Sequence, residues 1–299
     1  MQEAPVLRPL SVGDIVDRVL RLYRANPVLF FAIAVLPALI SEVLQRAFGL
    51  SQTFDLNDLS SAFDTSSGRV VVPRQLQQAN AGAALAVGIV AIVISVVQAG
   101  ALIDAIGHRY LGRPVSIRDA YVNALRAAPR LILCGVVVGV ILVAAFLAVF
   151  AAAAALNTSA FVAVAVILGL IGIFFVLPYA FLSLAVVGPA IVLEGLGPIV
   201  GIRRSFQLMK KSRLRTFGLY ILIAIISSLL GLVFGVIFLA SFVTEPTLRT
   251  VLQTVANVAA AAVSGPLLYG ALVILYYDLR VRKEAFDLQL AAEALPREG

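Results

Sequence analysis

The chain has 299 residues, 61% of them hydrophobic and 13% charged, with a formal net charge of +7. Soluble domains hold roughly 45–50% apolar and about 25% charged residues, so a water-soluble globular domain is excluded. The one cysteine, Cys134, lies inside an apolar run, which excludes a disulfide framework or a thiol metal site.

The segment RPLSVGDIVDRVLRLYR runs from Arg8 to Arg24. On a helical wheel Val12, Ile15, Val16, Val19, Leu20, Leu22 and Tyr23 share one arc, while Asp14, Asp17, Arg18, Arg21 and Arg24 fill the other. The division predicts a cytoplasmic interfacial helix over 1–26, its apolar side in the acyl boundary and its arginines near phosphate. Ser11 and Asp14 fit its start signal. The arginines are spread among acids, unlike the short basic start of a cleaved signal, so the first span is expected to be retained.

About 20 apolar residues cross the roughly 30 Å hydrocarbon layer. Six such spans are predicted, at 27–48, 80–106, 131–156, 161–193, 216–243 and 251–277. The first carries Glu42 and Arg46 one turn apart near its outer end, an expected self-neutralising pair. Gly49 to Ala79 is rich in Ser, Asp and Gln and reads as an irregular exposed loop. The second span brings Asp104 one turn before His108. Such a pair either satisfies itself at a helix end or holds the imidazole as a proton relay or ligand. Next comes RPVSIRDAYVNALRAAPR, Arg113 to Arg130, a looser copy of the first segment in which Pro114, Ser116 and Asp119 match Pro9, Ser11 and Asp14. Val122 falls on its polar side.

GVVVG at Gly135 to Gly139 and GLVFG at Gly231 to Gly235 have the spacing that lets neighbouring helices approach closely. NTS at Asn157 matches a glycosylation acceptor but lies too close to the membrane for use. A straight helix over 161–193 would be roughly 50 Å long, so the fourth span must tilt, kink or protrude. Pro178 and Pro189 interrupt its hydrogen bonding, and Pro266 does the same in the sixth span. Interrupted spans at related positions point to a transporter's binding site, here lined by Pro178, Tyr179, Ser183, Asn257, Ser264 and Pro266. Glu194 closes the fourth span, where it can meet Arg203 or Arg204. A third charged segment, GPIVGIRRSFQLMKKSRLRTFG from Gly197, shares only the proline and a helical scatter of apolar and basic residues.

Of the 23 basic residues, all but Arg46, Arg69, Arg74 and Arg249 fall before the first span, in 107–130, in 194–215 or in the tail 278–299. Lys and Arg beside short loops stay cytoplasmic, so both termini are expected there. The expected fold class is therefore an all-α polytopic membrane protein, one domain over 1–299 whose six-span bundle occupies 27–277. Its six helices form three repeats of an interfacial amphipathic helix plus a helical hairpin. The plainer account is that any basic loop between spans looks similar. The same two accounts apply to Arg109, Arg113, Arg203, Arg204, Lys210 and Lys211, which suit the phosphate of anionic lipid or merely record topology.

Four stretches carry a family likeness: LRPLSVGDIVDRVLRLYRANP near the start, YLGRPVSI after the second span, AIVLEGLGPIVGIRRSFQLMK after the fourth and YYDLRVRKEAFDLQL at the end. In these the chain resembles the membrane domain associated with bacterial glycerophosphoryl diester phosphodiesterases, and the free-standing proteins built from it. None of the four is a catalytic signature. The resemblance implies that phosphodiesterase activity belongs to a separate soluble barrel using histidines and metal-binding carboxylates. The stretches outside the spans are too short for a (β/α)₈ barrel of about 250 residues, so the family name implies no such activity here.

One histidine, one cysteine and 16 carboxylates, most of them in loops or tails, offer no convergent acid, base or nucleophile. No cofactor and no metal are expected. The function expected is that of a non-catalytic scaffold or subunit of a membrane assembly in the bacterial cytoplasmic (inner) membrane, touching anionic lipid. Membrane lipids and other membrane proteins are the expected partners, a second copy of the chain is compatible with them, and nucleic acid is not expected. The alternative is a small transporter or lipid-handling permease with a cavity between spans four and six.

Overall fold

The structure, a computed structural model, describes residues 9–48, 81–155, 167–169, 171–242 and 244–289. The expected loop at 49–79 and the Asn157 acceptor lie outside the described residues. Every regular element among the described residues is helical. Six helices among the described residues are long and apolar enough to cross a membrane.

Helix α1, Val12–Ala25, starts at a reciprocal capping box: the Asp14 amide donates to Ser11 Oγ at 3.1 Å and the Ser11 amide donates to the Asp14 carboxylate at 2.8 Å. It ends at Asn26 because the following proline pushes that residue out of helical conformation, and Pro27 opens α2, Pro27–Ala47. The apolar face of α1 does not lie in the acyl boundary as expected. Ile15, Val16 and Val19 are buried inside the protein core. A Cβ placed on Gly270 would come 3.1 Å from Val19, so α1 is docked on the last helix.

Helix α3, Ala81–Tyr110, pairs with α4, Ile117–Ala155. The second charged segment is no separate interfacial helix, contrary to expectation, but the first part of α4. The reason is local: Ala120, Ala124, Ala127 and Ala128 are buried, and Ala124 packs on Gly100 so closely that a Cβ there would lie 3.1 Å away. Small residues let the segment stand upright along α3. Ser116 still caps it, accepting from the Asp119 amide at 3.1 Å.

The fourth span is broken, as its prolines require. A π-helical turn, Gly172–Val176, precedes α5, Leu177–Ser183. Pro178 has no amide hydrogen and its ring crowds the carbonyl four residues back, which the wider turn accommodates. A three-residue turn at 184–186 then separates α5 from α6, Val187–Glu194. Helix α7, Pro198–Met209, follows, then α8, Arg213–Ser241, and α9, Pro246–Glu284. Both α4 and α9 have 39 residues, about 58 Å at roughly 1.5 Å per residue, so each exceeds the hydrocarbon layer.

The core lies at the end of the bundle where the basic residues gather, termed here the basic end. There α9 is enclosed by α1, α2, α3 and α8. Of the most apolar stretch of α9, 56% is buried, against 6% for α4 and for α8, whose outer faces remain for lipid. At the two expected glycine pairs, Gly135 with Gly139 and Gly231 with Gly235, an added Cβ would meet nothing within 4 Å among the described residues. The closest approaches among the described residues are at Gly107 and Gly201, where an added Cβ would lie 2.6 Å from Leu193 and from Ile191.

Candidate functional site

Two ion-pair hubs tie the helix ends together at the basic end. In the first, Glu194 at the end of α6 receives Arg204 of α7 through Nη2 at 2.9 Å and Nε at 3.2 Å. Arg204 also donates to Glu284 of α9, with Nη2 at 2.8 Å. Tyr276 donates its hydroxyl to Glu194, and Arg280 stands 3.4 Å from Glu194 and 3.3 Å from Glu284. Tyr276, Arg280 and Glu284 are four residues apart on α9 and so share one face. Two carboxylates thus balance two guanidinium groups. The hydrogen bonds to Glu284 hold the Arg204 guanidinium more firmly charged than usual. Of the two expected partners for Glu194, Arg204 is the one that bonds it; Arg203 is exposed.

The second hub was not read from the sequence. Asp278, its side chain fully enclosed, accepts the Leu10 amide at 2.6 Å, Arg215 Nη1 at 2.6 Å and Arg282 Nε at 3.0 Å. Arg215 and Arg282 both donate onward to the Leu10 carbonyl, the latter at 2.7 Å. The entry to α1 is therefore clasped through both its backbone groups to α8 and α9. Arg18, expected near lipid phosphate, donates instead to the Tyr110 hydroxyl at 2.8 Å.

Asp104 is buried and meets Asn123 of α4, whose amide lies 3.3 Å from both carboxylate oxygens. His108 Nδ1 lies 2.9 Å from the Asp104 backbone carbonyl and 3.6 Å from its carboxylate. That geometry fits a satisfied helix end better than a relay, since the nearer contact is to the backbone. Glu42 and Arg46 pair as expected, at 2.7 and 2.9 Å. Among the described residues no group of three or more His, Cys, Asp or Glu side chains could hold a metal.

The six basic residues expected at phosphate divide. Arg204 is committed to carboxylates, and Arg109 is half-buried with Nη2 3.4 Å from the Val115 carbonyl. Arg113, Arg203, Lys210 and Lys211 are exposed. The six expected cavity residues do not line one space. Pro178 borders a groove between α5 and α8, whereas Ser264 borders a smaller one of about 110 Å³ between α8 and α9. Asn257 is exposed and Pro266 is buried.

The break in the fourth span has its own polar arrangement. Ser205 donates to the Ser183 carbonyl at 2.7 Å, and Ser183 donates its hydroxyl to the Tyr179 carbonyl at 2.7 Å. Arg213 Nε donates to that same hydroxyl at 2.7 Å, and its guanidinium carbon lies 4.2 Å above the Tyr179 ring. Sequence reasoning named Tyr179 and Ser183 but placed them toward α9 rather than under Arg213.

A family model described as a domain of unknown function, DUF7847, matches residues 10–279. The chain belongs to that family. The match begins at the clasped residue, Leu10, and ends one residue beyond the carboxylate that clasps it, so the family region contains the whole of the second hub apart from Arg282. No curated protein and no solved structure matches the chain.

Proposed function

We propose that this member of the family is a non-catalytic protein of a bacterial cytoplasmic membrane that serves as a scaffold or subunit of a membrane assembly. One observation carries the reading: the charged side chains gathered at the basic end mostly neutralise one another across helix ends, in the Glu194 and Asp278 hubs, instead of converging on an open cavity. Such pairs fix helix ends relative to one another. A rigid, lipid-facing bundle with such an end is suited to holding partners. The excess of Lys and Arg at that end supports a cytoplasmic position for it and for both termini. The three charged segments, each leading into a span, support a parallel threefold repeat, and the four sequence stretches support kinship with the membrane domain of glycerophosphoryl diester phosphodiesterases.

The test is extraction of the full chain from native membranes and identification of what co-purifies. A stoichiometric membrane-protein partner is the expected result. Recovery of the chain alone, with metal-dependent hydrolysis of a glycerophosphodiester that is lost on Asp104→Ala, would overturn it.

The broken fourth span supports a second reading, a lipid-handling permease. Under it, vesicles reconstituted with the chain exchange labelled phospholipid between leaflets faster than empty vesicles. Equal exchange removes this reading.

A further inference from the structure

Two apolar grooves flank the aromatic pair Phe181 and Tyr220, whose ring centroids are 5.1 Å apart. One, of about 400 Å³, is bordered by Val138 and Leu142 of α4 and Ala180 of α5. The other, of about 300 Å³, is bordered by Pro178 of α5 and by Phe217, Ile221 and Ala224 of α8. Both are walled by Phe181 and Tyr220, so one aromatic partition divides them.

Arg213 stands one helical turn before Phe217, a wall of the second groove, on the same face of α8. Its Nε is held by Ser183 and its plane by the Tyr179 ring, which fixes the group without neutralising it. Its two terminal amino groups have no hydrogen-bond partner among the described residues. Beside it, Lys283 Nζ donates to the Lys210 carbonyl at 2.6 Å and the Leu208 carbonyl at 2.8 Å, closing the end of α7. Lys210, Lys211 and Arg213 all lie within electrostatic reach of Lys283. The carboxylate facing this group is Glu284, already bonded to Arg204 and Arg280. Positive charge therefore accumulates at the α7–α8 corner, with Arg213 over Tyr179 and one helical turn before Phe217 of the second groove.

We propose that the α7–α8 corner and these grooves form one binding site for an anionic glycerophospholipid, with its phosphate on Arg213, Lys210 and Lys211 and its two acyl chains on either side of the Phe181 and Tyr220 partition. Charge complementarity selects the headgroup, and a partition with a groove on each side matches a two-chain lipid. A guanidinium already oriented by Ser183 and Tyr179 loses little freedom on taking a phosphate. The inference rests on the membrane-embedded reading of the chain but not on its scaffold role.

The full chain is reconstituted in vesicles of equal phosphatidylglycerol and phosphatidylcholine, extracted in mild detergent, and its retained lipids are counted by native mass spectrometry. The wild-type chain is expected to retain phosphatidylglycerol in preference, and Arg213→Ala to lower that retention roughly tenfold. Arg126→Ala removes an exposed charge that does not border the grooves and is expected to leave retention unchanged. Ala224→Phe fills one groove without touching a charge, is expected to lower retention, and carries the test if Arg213→Ala does not fold. Equal losses for Arg213→Ala and Arg126→Ala would reduce the site to diffuse charge and overturn the proposal. So would undiminished retention in Ala224→Phe, or full displacement by inorganic phosphate, each of which indicates a headgroup-only site. A negative result here leaves the co-purification test of the scaffold reading unaffected.

Discussion

The Leu10 amide donates to Asp278 at 2.6 Å, joining positions 268 residues apart in sequence. The same carboxylate holds Arg215 and Arg282, and both arginines return to the Leu10 carbonyl. One buried acid thus orders the start of α1, the start of α8 and the end of α9.

Replacing Asp278 with alanine should therefore be among the most damaging single changes. Removing one partner of a buried pair costs about 3–5 kcal/mol. The lower end applies, because Arg215 and Arg282 side chains are 23% and 38% exposed and recover part of their hydration. Thermal unfolding in detergent measures it. An unchanged midpoint for Asp278→Ala would mean that the clasp contributes nothing.

Arg204 should not tolerate lysine. Its planar group bonds Glu194 and Glu284 together, which a single ammonium cannot reproduce. Arg204→Lys is expected to cost about 1–3 kcal/mol. A double-mutant cycle with Glu284→Gln should give a coupling of roughly 0.5–3 kcal/mol. Strict additivity would count against the hub.

The glycines separate two accounts of packing. Gly201→Ala drives a Cβ to 2.6 Å from Ile191 Cγ1, an overpacking expected to cost about 1–3 kcal/mol, whereas Gly107→Ala meets only the end methyls of Leu193, which can turn aside, and is expected to cost less. Gly135→Ala and Gly235→Ala meet nothing within 4 Å among the described residues and should not lower the monomer's unfolding midpoint. If instead these outer substitutions destabilise the protein in a concentration-dependent manner, a second copy packs there.

Topology is read by thiol labelling in a Cys134→Ser background. Cysteines at the exposed positions Arg113 and Arg203 are expected to react with a membrane-impermeant maleimide only after the inner face is opened. Ser205→Cys is a poor reporter, since Ser205 is buried and bonded to Ser183. Labelling of Arg203→Cys from outside intact cells would reverse the orientation.

Much of this architecture is legible in the chain because its signals are local. Apolar run length gives the spans, Ser11 with Asp14 and Ser116 with Asp119 give two helix starts, and Pro178 with Pro189 give the broken fourth span. Glu194 with Arg204 is also within reach, since only a short turn separates their helices. What escapes is long-range. The wheel of α1 shows an apolar face, but lipid and protein are equally apolar, so only the fold decides that Ile15 and Val19 meet α9. Asp278 looks like an ordinary membrane-edge acid until residue 10 is brought to it. Arg213 is one of a run of cations in sequence, and only the break at 184–186 sets Tyr179 and Ser183 beneath it.

The order of synthesis gives the Leu10 to Asp278 bond a further meaning. At roughly 5–20 residues per second, the opening segment waits about a quarter of a minute to a minute before its acceptor is translated. Until then α1 lacks the Asp278 bond, although Tyr110 is already within reach of Arg18 and Arg215 can take the Leu10 carbonyl. The Leu10 amide is therefore among the last backbone groups of the described bundle to meet its partner, and the clasp closes only once the end of α9 is in place.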